Sequence, residues 1–175
     1  MKRSGFSMIE LVFVIVILGV LAAVAVPRFV TTRTDAQVAM LRSDIASTLK
    51  AIPARIFAEN IDPTASTPNG YSSWGEWIID TGGLDRGRWA ASASGGKSGV
   101  GPLDTHNGTW CVSSNQPGII YIDEKGNLNF NPETIGNATG AATSYSSTLC
   151  NSLKASYPSG SNRVIPLATT GAVKF

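Results

Sequence analysis

A chain of 175 residues with 14 Lys/Arg against 12 Asp/Glu is long enough for one packed domain, or for one domain plus an appendage. Its 43% hydrophobic content excludes wholesale disorder, and its near-neutral charge argues against nucleic-acid binding through a basic surface. One His and two Cys exclude a Cys/His zinc cluster.

Residues 1–5 (Met-Lys-Arg-Ser-Gly) form a short basic leader. Residues 6–26 are hydrophobic except at Ser7, Glu10 and Gly19. As a helix this run rises roughly 31 Å, which matches the hydrocarbon core of a bilayer. Its Leu, Ile, Val and Phe side chains favour insertion by roughly 6 kcal/mol in sum, against about 3 kcal/mol for one acid. The run over 6–27 therefore predicts a transmembrane helix. Lys2 and Arg3 ahead of it place the N-terminus in the cytoplasm and the rest outside.

The helical pattern continues beyond the span. Val38, Leu41, Ile45, Leu49, Ile52 and Ile56 recur at spacings of three and four, with Arg42, Asp44 and Lys50 off that stripe. Residues 28–59 thus read as an amphipathic continuation. Pro27 and Pro53 interrupt it; each removes a backbone donor and kinks or ends the helix, unless Pro53 opens a short second one.

Residues 60–175 read as a polar, lightly charged head. Residues 60–108 are expected to be a long connecting loop, with a short helix around Trp74–Ile79. Strands are expected at Thr109–Ser113, at Ile119–Ile122 and at Leu128–Phe130, the last two forming a hairpin around Gly126. Ser144–Lys154 suggests a short helix, and Arg163–Leu167 with Ala172–Phe175 a second hairpin around Thr169-Thr170-Gly171. One long helix followed by strands predicts an α+β fold with an antiparallel sheet. There is no internal repeat.

Gly5, Phe6, Glu10, Gly19 and Pro27 stand in the block KRSG-FSMIELVFVIVILGVLAAVAVP. This block resembles the N-terminus of the type IV pilin family, which includes the pseudopilins of type II secretion. The resemblance covers residues 1 to about 30 closely and the amphipathic helix to about 57 in character. It implies cleavage between Gly5 and Phe6 by a membrane-embedded prepilin peptidase, and methylation of the new Phe6 amine by the same enzyme. It also implies a structural subunit, not an enzyme, with no cofactor: an inner-membrane protein with its head in the periplasm. A cytoplasmic ATPase and an inner-membrane platform protein would draw it from the lipid into a filament with other pilins or pseudopilins. The sequence fits a pilus and a secretion pseudopilus equally.

Within that scheme Glu10 of one subunit would pair with the Phe6 ammonium of its neighbour. Breaking a buried pair costs about 3 to 5 kcal/mol, whereas forming one gains little, so the value of the pair is register. The plainer reading is an acid that snorkels to headgroups. Gly19 and Pro27 bracket the softest part of the helix; they mark either a stretch that melts in the filament or an ordinary kink. A conventional signal peptide competes for the same segment, because Ala23-Val24-Ala25 fits its cleavage site and would leave Val26 first. Glu10 inside the apolar run, and the helical stripe beyond it, oppose that reading.

Cys111 and Cys150 fall in the exterior head, where a disulfide is the natural state; two buried free thiols are the alternative. The bridge would close a 39-residue loop. His106 reads as a solvated loop residue, and Asp123 with Glu124 as turn formers. Some major pseudopilins bind calcium near the C-terminus, but residues 163–175 carry no acid. Asn107 and Asn137 match glycosylation acceptors by chance of composition. Trp74 and Trp77 read as core or loop anchors, with a subunit interface as the alternative. Arg86 and Arg88 near Trp89 are the one basic-aromatic grouping of the head, too small to mark a nucleic-acid site. Two other functions fit the head: an adhesive or ligand-binding tip subunit, or an exported soluble protein behind a signal peptide.

Overall fold

The computed structural model describes residues 7–92, 97–104, 109–113, 116–136 and 147–168, with the backbone alone at 24–32 and 109. The chain divides into two compact units, Met1–Gln37 and Val38–Phe175. One helix, α1 (Met8–Glu59), contributes to both.

α1 ends at neither proline; its backbone is helical across Pro27 and across Pro53. A proline removes one bond from the ladder, and around Pro53 the fully buried Ile52 and the buried Ile56 hold the helix against the core. The stop comes at Asn60, which takes the left-handed conformation with φ of 50°. The Ile61 N–H then donates to the Ile56 carbonyl at 3.1 Å, closing a Schellman motif.

In the second unit the stripe predicted from spacing is the buried face of α1. Val38, Leu41, Ile45, Ile52 and Ile56 are buried and Leu49 is half-buried. Helix α2 (Trp74–Gly82) follows, longer than its predicted core. The Ser73 hydroxyl caps it by accepting from the Glu76 N–H at 3.3 Å, and Gly83 at φ of 60° ends it.

Among the described residues six strands come next: β1 (Trp89–Ala91), β2 (Val100–Asp104), β3 (Thr109–Trp110), β4 (Ile120–Ile122), β5 (Asn127–Phe130) and β6 (Arg163–Pro166). They form an antiparallel sheet of order β1-β2-β4-β5-β6, with β3 beside β2. A 3-10 turn (Pro132–Thr134) and helix α3 (Thr148–Ala155) lie between β5 and β6. The α+β architecture with an antiparallel sheet is as the sequence predicts.

The β4–β5 hairpin stands where expected, with Ile120 opposite Phe130 and Ile122 opposite Leu128. β6 occupies its predicted residues but pairs with β5, Leu128 facing Ile165. Ala172–Phe175, proposed as its hairpin mate, lies outside the described residues. β1 and β2 correct the reading of 60–108 as a connecting loop. Their pattern is hidden because Gly101 and Pro102 occupy the middle of β2. Gly101 is needed there: a Cβ would lie 2.5 Å from Trp110 Nε1, so the missing side chain admits the indole.

Candidate assembly surface

The N-terminal unit presents apolar side chains all round the helix. Met8 is 86% exposed, Phe13 66% and Val20 63%, with Leu11, Ile15 and Leu18 more than half exposed. A helix apolar on every face needs lipid or protein around it. Gly19 has open space where a Cβ would stand, so no close approach within the chain requires it. Its effect is on the helix itself, weakened by about 1 kcal/mol relative to alanine.

Ser7 and Glu10 open α1 together. The Glu10 carboxylate accepts from the Ser7 N–H at 2.9 Å, and the Ser7 carbonyl accepts from the Glu10 N–H at 3.1 Å. Ser-Met-Ile-Glu is the S-x-x-E pattern of a capping box, in which the acid satisfies a backbone donor that the helix leaves open. That local role was readable from the spacing, beside the register and snorkelling roles expected for Glu10. In the lone chain the Glu10 side chain is engaged by the Ser7 N–H.

Gly5, Phe6, Lys2 and Arg3 lie outside the described residues, as do His106, Asn107 and Asn137. The Pro27 side chain does so too. Among the described residues no helix is long and apolar enough to cross a membrane. Among them, too, no group of three or more His, Cys, Asp or Glu side chains could hold a metal ion.

The head buries three of its tryptophans. Trp74, Trp77 and Trp89 are at most 1% exposed, so Trp74 and Trp77 are core and not a subunit interface. Trp89 Nε1 donates to the Asp44 carboxylate at 3.0 Å. The basic-aromatic grouping is neutralised by acids: Arg86 pairs with Glu76 at 2.6 Å, and Arg88 with Asp85 at 3.4 Å and Asp44 at 3.6 Å. It offers no free cations to a phosphate backbone.

Arg55 completes this side of the head. Its guanidinium reaches Asp80 at 2.8 Å, Tyr71 at 3.2 Å and Glu59 at 2.9 Å. The Asp80 bond, then the Tyr71 bond, hold the guanidinium above its ordinary pKa. Tyr71 and then Arg55 hold the Asp80 carboxyl below its own. Five carboxylates (Asp44, Glu59, Glu76, Asp80 and Asp85) face three guanidinium groups (Arg55, Arg86 and Arg88), so this α2 flank is net acidic.

Cys111 and Cys150 are joined, with Cα atoms 5.3 Å apart, tying the end of β3 to α3. Ser147 fixes the start of α3: its hydroxyl donates to Asp104 at 2.5 Å and accepts from the Cys150 N–H at 3.2 Å.

Residues 1–26 match the family model described as the prokaryotic N-terminal methylation motif. The chain is similar to the type IV narrow pilus major component PilA5 of Thermus thermophilus, 39% identical over 79 residues. That match covers 43% of this chain and 68% of the relative. It is also similar to the type II secretion system core protein G of Pseudomonas aeruginosa, 39% identical over 74 residues. Here 41% of this chain is covered, and the chain spans only about half of the relative's length, 49%. No solved structure matches this chain.

Proposed function

Because this chain belongs to the type IV pilin and type II secretion pseudopilin family, we propose that it is made as a membrane precursor and ends as a filament subunit. In this reading prepilin peptidase cuts between Gly5 and Phe6 and methylates the Phe6 amine. The apolar part of α1 first holds the subunit in the inner membrane, N-terminus inward and head outward. It then becomes the packing core of the filament, into which the platform protein and its ATPase draw it. The family pattern supports the processing steps. The observation that carries the assembly step is the run from Met8 to Leu21, whose described apolar side chains stand exposed around the whole helix. Lipid would cover these exposed side chains, and so would neighbouring copies of the same helix.

Glu10 has a part in each state. In the lone chain it caps α1 through the Ser7 N–H. Beside a neighbour's Phe6 ammonium it would exchange that bond for an ion pair, which penalises any other axial height. Gly19 and Pro27 leave the stretch between them the weakest part of the helix, so that it can extend in the filament without disturbing the head.

Edman sequencing and mass measurement of the mature chain test the processing. Phe6 at the N-terminus, carrying one methyl group, is the expected result. Val26 at the N-terminus would mean a signal peptidase and a soluble exported protein, and would end the filament reading.

A further inference from the structure

The head has a second flank, opposite to the acidic one. Successive residues of a helix are about 100° apart, which puts Ala46 and Lys50 on one side of the buried stripe of α1 and Asp44 and Arg55 on the other. The sheet has the same polarity. β6 ends it on the Lys50 side, whereas β1, with α2 packed on it, ends it on the Asp44 side.

Between α1 and β6 runs an open groove of about 660 Å³. Its apolar lining comes from Ile45, Leu49, Phe130 and Ile165, and its charges are Arg42, Lys50 and Arg163. Among the described residues no carboxylate lines it; Glu133, which accepts from the nearby Gly160 N–H at 3.2 Å, is not part of the lining. The Arg42 guanidinium lies 5.3 Å from the centre of the Tyr157 ring. Among the described residues none of these three cations forms an ion pair; the ion pairs of the head belong to Arg55, Arg86 and Arg88. β6 is an edge of the sheet among the described residues, and its Val164 is 62% exposed.

We propose that this groove docks a second copy of this chain, which brings against Arg42, Lys50 and Arg163 the flank on which Asp44, Glu59, Glu76, Asp80 and Asp85 outnumber Arg55, Arg86 and Arg88. The inference rests on the filament reading and adds to it the contact between heads. Charge complementarity selects the occupant. A helical filament joins unlike patches of identical subunits, so each subunit must carry both halves of the contact on different faces. This head does: unpaired cations beside an apolar floor on one flank, and excess carboxylates on the other. The contact gives orientation and register to heads whose helices attract one another without direction.

Three full-length chains test this in the assembling cell. The first reverses the groove (Lys50→Glu with Arg163→Glu), the second reverses the flank (Glu76→Lys with Asp85→Lys), and the third carries all four changes. The first two are expected in sheared filaments at roughly a tenth of the wild-type level or less, since like charges face each other. The third, complementary to itself again, is expected to recover. Protease resistance of each detergent-extracted head shows that the chains fold. In wild-type filaments, carbodiimide is expected to join Lys50 to Glu76 or Asp85 of another chain, which needs no variant. Wild-type incorporation of both reversed chains, or a folded third chain no better than the first two, would overturn the contact and leave the filament reading intact. So would Lys50 joined only within its own chain, or only to carboxylates elsewhere. Absence of the wild-type chain from filaments overturns both.

Discussion

The Glu10 carboxylate satisfies a backbone donor that α1 leaves open, and its charge sits in an apolar segment where charge is costly. Two substitutions separate these contributions. Glu10→Gln keeps an oxygen for the Ser7 N–H and removes the charge; Glu10→Ala removes both. If register is the charge's work, both variants are cleaved normally and both enter filaments poorly. If the cap is what assembly needs, Glu10→Gln enters as wild type does. Immunoblots of membrane and sheared-filament fractions read the outcome. Lys97 poses the opposite case, a charge inside the head. Its ammonium donates to the Pro63 carbonyl at 2.8 Å and the Asp123 carbonyl at 3.1 Å, and lies 5.4 Å from the centre of the Trp74 ring. Burial pushes its pKa down, and Asp123, Asp62 and Glu124 push back. Lys97→Met leaves two carbonyls without that donor and is expected to destabilise the head by about 1–2 kcal/mol in urea unfolding. No change in the midpoint would refute it. Glu10 was legible because its type clashes with its surroundings in sequence. Lys97 was not, because its partners are main-chain atoms 34 and 26 residues away.

Elements whose signal is local periodicity were the ones readable in advance. The buried stripe of α1 and the β4–β5 hairpin carry their own pattern, whereas β1 and β2 depend on partners that supply what Gly101 and Pro102 lack. The hairpin also shows how a turn takes over a carboxylate. Asp123 accepts from the Lys125 N–H at 2.9 Å and the Asn127 N–H at 2.8 Å, and from the side chains of Asn127 and Asn129 at 3.0 and 3.1 Å. Burial alone would raise its pKa, but these bonds outweigh it and hold the carboxyl below its ordinary value. A pKa lowered by folding contributes stability that is present above the unfolded value and lost as pH falls through the folded one. Melting temperature is therefore expected to drop as pH is lowered from about 5 to about 2. Asp62 and Asp80, also held low, contribute in the same direction. In Asp123→Asn the drop should be shallower, starting from a less stable head, because one of the three titrating groups is gone. An equal slope in the variant would show that the turn's bonds do not favour the charged form.

At the scale of the whole molecule the chain is two materials. The described apolar side chains from Met8 to Leu21 stand exposed, while the core residues of the head run from Val38 to Leu167. The slight basic excess belongs to the leader: removing residues 1–5 would take away Lys2 and Arg3 and leave 12 Lys/Arg against 12 Asp/Glu. Folding stability should therefore belong to residues 38–175 and not to the apolar helix. A fragment beginning at Val38 is expected to unfold in one cooperative transition in plain buffer. Its midpoint should match the head transition of the full chain in detergent, as read by near-UV circular dichroism. The Cys111–Cys150 bridge, separated by 39 residues, restricts the unfolded fragment and contributes roughly 4 kcal/mol by chain entropy. Reduction should therefore lower the midpoint sharply while leaving one transition. A fragment that stays unfolded when oxidised would mean that the N-terminal unit supplies part of the head's core. The assembly helix could then not leave the lipid without disturbing the head that it carries.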